Sequence, residues 1–349
     1  MAEAVLTTRA LNRALLARQL LLERSPLGLT QVMEQMGGIQ MQYAPAGYIG
    51  LWSRMRDFDR PMLTRALVDR TVIQATVMRA TIHMVSAGDY WPMTAGIRRI
   101  RREWFEKVSH RQLEGTDMEA VASAVREELA DGPLPMRELT SRIVARGYAP
   151  RTAAWAGMRV DLVRVPPSGT WERRRADLYG LADGWLPPVD VTEDEGMELL
   201  IRRYLGAFGP APLKDIASWM GMYVSQIQHV VDRMDLRPMR DETGKPLFDL
   251  PDATLPDPET PAPVLFLAVW DAALLVHARR TQILPEELRP QVFNTKTPHS
   301  VNTFLVDGQV AGSWRFETGE IELSPMRSLT AVERREVEEE AQRLAAFHA

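Results

Sequence analysis

The sequence predicts a mainly α fold with a small β component: tandem winged-helix motifs followed by a small C-terminal antiparallel β-barrel. Three observations carry this. A succession of three helix-like segments and two short strand-like segments occurs twice, over 115–190 and 191–255. A proline-rich stretch (Pro251, Pro256, Pro258, Pro261, Pro263) then breaks the pattern. Beyond it, short strand-like runs are joined by Asp307-Gly308 and Thr318-Gly319, both hairpin signals.

In the first region, 1–114, apolar residues recur at helical spacing over 8–24, with Thr7 or Thr8 as N-cap. Leu29–Met36 reads as a second helix stopped by Gly37-Gly38, and Asp59–Asp69 as a third. Thr76–Ser86 alternates and reads as one strand, with Val77, Arg79, Thr81, His83 and Val85 on one side. Ala87–Val108 is helical. This region is read as a third, more elaborated winged-helix-like unit. In 115–190 the helices are 117–130, Pro135–Arg146 (stopped by Gly147) and Thr152–Val165, and two strands lie within Trp171–Leu181. In 191–255 they are Glu193–Phe208, Leu213–Met220 and Val224–Met234, with a wing of Leu236–Arg240 and Pro246–Phe248. The barrel, 256–330, takes its strands from Val264–Trp270, Thr303–Val306, Gln309–Phe316 and Glu320–Leu323. Residues 331–349 hold a final, mostly charged helix. Trp104, Trp155, Trp171, Trp219, Trp270 and Trp314 are expected in the core.

The chain has 349 residues, enough for two or three domains with their own cores. At 45% hydrophobic and 25% charged it has an ordinary soluble composition. No apolar run approaches the roughly 18–20 residues of a membrane span. The N-terminus enters an amphipathic pattern directly, so no signal peptide and a cytoplasmic location are expected. The absence of cysteine excludes disulfides, thiolate zinc sites and a cysteine nucleophile. Six histidines without an HxxxH or HxH pair argue against a metal site, and no cofactor is expected. Net charge is −4 but uneven: 15 Arg and Lys against 9 Asp and Glu over 1–110, 11 against 12 over 111–190, and 16 against 25 over 191–349. A basic N-terminal region can meet phosphates while an acidic one faces away. Lysine occurs only at 107, 214, 245 and 296.

The most informative segment is Gly37-Gly38-Ile39-Gln40-Met41-Gln42. In an extended chain, residues i and i+2 point to one side, so Gln40 and Gln42 would lie side by side with Met41 opposite. Two carboxamides can hold a water between them, but neither is a strong base. Gln226-Ile227-Gln228 is an internal control: inside a helix its two glutamines diverge.

Three segments together resemble the AlkZ family of bacterial DNA glycosylases. They are Gly-Gly-Ile-Gln-Met-Gln-Tyr-Ala-Pro (37–45) with Gly50-Leu-Trp-Ser-Arg54, Arg79-Ala-Thr81-Ile-His83-Met-Val, and the hairpin Phe304–Arg315. The resemblance spans about residues 5–330. It implies tandem winged helices with a C-terminal barrel, no cofactor, and excision of N7-alkylated purines, including unhooking of interstrand crosslinks in antibiotic producers. It also implies that Gln40 and Gln42 form the catalytic Gln-φ-Gln motif. The expected partner is double-stranded DNA bearing such lesions, bound by a monomer. Arg54, Arg79, Thr81 and His83 are candidate DNA contacts, with His83 open also to a purely structural reading. Family members insert a barrel hairpin near the lesion. That role is assigned to the loop holding Lys296, Thr297 and His299.

The chemistry is consistent with these residues. N-glycosidic hydrolysis passes through an oxocarbenium-like sugar. An N7-alkylated purine already carries positive charge and needs little acid assistance to leave. Positioned water and carboxamide dipoles can supply the remainder. With no lysine in 1–106, a Schiff-base nucleophile is missing near the motif, so a monofunctional hydrolase is expected. The rival reading is a winged-helix transcriptional regulator or architectural DNA-binding protein without catalysis. Its recognition helices, Thr152–Val165 and Val224–Met234, are not strongly basic, which weakens that reading. The run Arg98–Arg102 is open to phosphate binding or to a solvated helix face.

Overall fold

Local capping chemistry sets many of the helices. Thr7 accepts from the Ala10 amide and opens α1, Thr8–Arg18. Asp59 does the same for Arg60–Val68, and Thr192 with Glu195 forms a capping box for Glu193–Phe208. The computed structural model describes residues 4–275, 278–293 and 300–349. Lys296, Thr297 and His299 lie outside them, with most of the loop to which they belong.

The strands are β1 (Ala4–Leu6), β2 (Ile39–Gln40), β3 (Val72–Thr76), β4 (Ile82–Ser86), β5 (Leu134–Pro135), β6 (Leu162–Arg164), β7 (Leu178–Leu181), β8 (Arg237–Asp241), β9 (Pro246–Asp249), β10 (Leu265–Leu267), β11 (Thr303–Val306), β12 (Gln309–Glu317) and β13 (Glu320–Pro325). They make three sheets: β1-β8-β9, β10-β11-β12-β13 and β2-β4-β3-β6-β7-β5. The last two are antiparallel throughout; β1 lies parallel to β8. The fold is thus a mixture of helices and antiparallel sheets. Strands from 1–114 and 115–190 share the six-stranded sheet.

The helices after α1 are α2 (Leu29–Gln35), α3 (Ala44–Trp52), α4 (Arg60–Val68), α5 (Ala87–Leu113), α6 (Met118–Glu128), α7 (Met136–Ala145), α8 (Thr152–Trp155), α9 (Ala182–Trp185), α10 (Glu193–Phe208), α11 (Leu213–Met220), α12 (Val224–Val231), α13 (Arg289–Val292) and α14 (Ala331–His348). One face of the six-stranded sheet, with Ile73, Ala75, Val85, Val163 and Val165, joins a core shared with α5, α10 and α11. α5 and α10 cross at two glycines. A Cβ on Gly96 would stand 2.5 Å from the Gly196 carbonyl carbon, so the backbones meet where a side chain cannot fit. A second core joins α2, α3 and α4 to β10–β12 and α14.

Three expectations need correction. Thr76–Ser86 is a hairpin, not one strand: β3 and β4 pair from Val72↔Ser86 to Thr76↔Ile82 around a turn at Met78–Ala80. That turn contains no Gly, Pro, Asn or Asp, so the sequence gives no reversal signal. Thr152–Val165 is helical only to Trp155, with a 3₁₀ turn to Met158, because Val160, Val163 and Val165 suit a strand better. Within Trp171–Leu181 only Leu178–Leu181 is a strand; it pairs back with β6.

Candidate active site

Gly37 and Gly38 take φ of +68° and +82° after α2. At Gly38 a Cβ would lie 2.9 Å from Val85 Cγ1 and 3.0 Å from the Met84 carbonyl, so glycine alone fits there. The chain then drops against β4, pairing Ile39 with Met84 and Gln40 with His83. Met41 is buried in the second core. Gln40 is 7% exposed, whereas Gln42 is exposed at the surface before α3.

The Gln40 Nε2 donates to Gln42 Oε1 at 2.8 Å. The Gln40 Oε1 accepts from Arg79 Nη2 at 2.9 Å, and Arg79 Nη1 also donates to the Trp219 carbonyl. Arginine has only donors, so its contact fixes which end of the Gln40 amide faces it. Gln40 must then present its NH₂ to Gln42, and Gln42 must present its oxygen to Gln40. The result is a directed relay, Arg79 to Gln40 to Gln42. Among the described residues it leaves one Gln42 oxygen lone pair and its NH₂ group free for solvent. The two carboxamides touch each other directly, so a water is not held between them; Gln42 alone presents to it, with Gln40 as support.

Arg79 sits on the β3–β4 turn at φ +53° and is followed by Ala80 at φ +53°. Non-glycine residues in this region are strained and persist where surrounding contacts hold them. Burial lowers the Arg79 pKa to about 10, which still leaves it charged at neutral pH. Replacing Arg79 by methionine keeps the bulk but frees the Gln40 amide to turn. The Gln42 carboxamide is then expected to lose its single orientation.

His83 lies behind Gln40 and is 2% exposed. Its Nδ1 lies 3.0 Å from the Thr81 carbonyl, and its buried Nε2 has no partner among the described residues. Burial first, and the Arg79 charge second, lower its pKa to about 3. Below pH 6.5 the unfolded chain takes up a proton that the folded chain refuses, so stability falls as pH drops from 6.5 toward 3. Relative to His83→Gln, the unfolding free energy of the wild type should fall by about 2 kcal/mol between pH 7.5 and 5 in urea titrations.

The structure encloses two of the candidate DNA contacts, Arg54 and His83, and commits the side chains of the other two, Arg79 and Thr81, to internal hydrogen bonds. Arg54 is fully buried: it pairs bidentately with Asp271 at 2.8 Å and bonds the Gly50 carbonyl. The Arg79 guanidinium is spent on Gln40 and Trp219. Thr81 donates to the Met78 carbonyl, and His83 is neutral and enclosed. The Arg98–Arg102 run is also spent: Arg98 pairs with Asp161, Arg99 with Glu193 and Glu103, Arg101 bonds the Thr76 carbonyl and Arg102 those of Met158 and Arg159. The control glutamines diverge as expected; Gln226 caps α12 at Tyr223 and Gln228 bonds Asp232.

One basic element was not singled out from sequence. Arg173, Arg174 and Arg175 are exposed in the loop after Trp171, and Arg174 donates to the hydroxyl of Tyr43, the residue after Gln42. The signal was three successive arginines. A cavity of about 250 Å³ adjoins them, lined by Tyr43, Trp171, Arg174, Trp314, Phe316 and His348 among others.

The profile of the AlkZ-like DNA glycosylases matches residues 33–347. The chain belongs to the AlkZ-like DNA glycosylase family. It is therefore a DNA-repair glycosylase in family terms, and DNA is its partner. The structure is also similar to that of the Streptomyces sahachiroi DNA glycosylase AlkZ, with a TM-score of 0.84 at 19% identity, covering 99% of this chain and 97% of that one. At that identity the likeness speaks for the fold. No curated protein matches significantly. Among the described residues no group of His, Asp and Glu could hold a metal, and no helix is long and apolar enough to cross a membrane.

Proposed function

We propose that the protein hydrolyses the N-glycosidic bond of N7-alkylated purines in duplex DNA as a monofunctional glycosylase, with Gln40 and Gln42 as its catalytic pair. The observation that carries this is the exposed Gln42 carboxamide, held in one orientation through Gln40 by the half-buried Arg79 guanidinium. A water donating to the free Gln42 lone pair turns its own lone pairs away from the amide, toward an approaching sugar. The same oxygen dipole stabilises positive charge growing at the anomeric carbon. Neutral amides provide no strong base, and a cationic purine leaves without one. Interstrand crosslinks at N7 have the same leaving-group chemistry and fall within the reading. In this account the helix-helix-helix-hairpin segments are winged helices used as scaffold, the β10–β13 sheet belongs to a barrel, and the protein acts as a monomer.

Arg173, Arg174 and Arg175 supply phosphate contacts beside Gln42. Replacing Arg173 and Arg174 by glutamine should lower the salt slope of duplex binding by about 1.8, the value for two lost phosphate contacts.

The deciding experiment uses duplex DNA with one N7-methylguanine, followed by alkali. Strand breaks at the lesion with wild type, and none with Gln40→Ala/Gln42→Ala at similar DNA affinity, are the expected result. Full activity in the double variant removes the catalytic assignment. Tight binding to one undamaged sequence without breaks would favour a regulator instead.

A further inference from the structure

A groove runs along the face of α5 that carries Ile97, Ile100, Trp104 and Lys107, residues spaced at helical intervals. α11 and the turn into α12 form its other wall. The inner part is a mostly apolar cavity of about 210 Å³ that ends at Val77, Arg79 and Ala80. The outer part, about 630 Å³, opens between Trp104 and Tyr223. Trp104, expected in the core, is 50% exposed, and Tyr223 is 77% exposed. Two of the four lysines in the chain, Lys107 and Lys214, line the same outer part. Among the described residues neither ammonium group has an ion-pair partner. The acid lining the groove, Glu103, pairs with Arg99 at 2.9 Å. Two exposed aromatic rings and two uncommitted ammonium groups around one groove form an environment for planar rings joined by phosphates.

We propose that this groove binds single-stranded nucleic acid, with unpaired bases stacking on Trp104 and Tyr223 and the backbone phosphates on Lys107 and Lys214. Stacking of this kind tolerates any base, since each has a π-face. The choice of nucleic acid rests on DNA being the partner of the family. The inner end of the groove is the turn that carries Arg79, so a strand seated there abuts the residue that orients Gln40.

The test uses a fluorescein-labelled oligo(dT) of about ten nucleotides, without any lesion, in anisotropy titrations over a range of salt. Trp104→Ala and, separately, Tyr223→Ala should each weaken binding about tenfold or more. Lys107→Gln/Lys214→Gln should lower the salt slope by about 1.4, as two single-strand phosphate contacts require. The two aromatic variants sit on different elements, so misfolding of one leaves the other as a test, and thermal melts check both. Unchanged affinity and slope overturn the proposal, as does an equal loss of fully paired duplex binding, which would make the groove a duplex contact. A dimer in sedimentation that Trp104→Ala dissolves would reassign the groove to a second copy of the chain and also overturn it. Because the readout needs no excision, failure of the glycosylase reading and failure of this one are separable.

Discussion

Gln42→Ala is expected to lower single-turnover excision of N7-methylguanine by about 10²–10³-fold, the cost of removing one preorganised dipole from a transition state. Melting temperature should hardly change, because Gln42 is exposed. Glutamate substitutions then separate the two glutamines. Gln42→Glu keeps an acceptor for Gln40 Nε2 and leaves lone pairs for water, so activity should stay within about tenfold of wild type. Gln40→Glu cannot do both of its jobs. It still accepts from Arg79, but it has no NH₂ to give Gln42. Contact re-forms only if the Gln42 amide turns round, which carries its oxygen away from the place where it holds the water. A loss of about a hundredfold is expected from such misorientation. Equal activity in the two glutamate variants would show that the relay Arg79 to Gln40 to Gln42 does not orient the site.

Arg54→Ala is expected to destabilise the fold by about 3–5 kcal/mol. The side chain is 0% exposed and its partner Asp271 is 3% exposed. Removing one ion leaves the other buried and unpaired, which costs far more than the pair itself contributed. The melting temperature should drop by roughly 5–10 °C. Arg54→Met/Asp271→Leu should recover most of the loss, since the orphaned charge is gone, and the coupling appears as non-additivity in the cycle. Binding to lesion DNA by the folded fraction of Arg54→Ala should match the wild type. A variant with unchanged stability and weaker DNA binding would return Arg54 to the interface.

Helices with a polar face and a capping residue were visible: α10 and α11 lie where their periodicity placed them, as do the Asp307-Gly308 and Thr318-Gly319 turns of β11–β13. α3 was not visible. Ala44–Leu51 is buried all round, so no amphipathic period marks it, and Gly47 and Gly50 suggest a break. The β3–β4 turn was hidden because alternation continues on both sides of it, and this misplaced Arg79 on a strand face. The Gln40-Met41-Gln42 geometry was partly legible, since spacing alone put the two amides together and Met41 opposite. Their direct hydrogen bond depends on Arg79, which arrives from a turn 39 residues away in sequence. Arg54 looked like a DNA contact because its acid partner lies 217 residues downstream.

Neutral amides suffice only for a base already primed to leave. The most direct measurement compares wild-type single-turnover release of N7-methylguanine and of unmodified guanine from otherwise identical duplexes. Rapid release of the cationic base with no detectable release of the neutral one is predicted. Comparable rates for both, or no release of the methylated base, would contradict it.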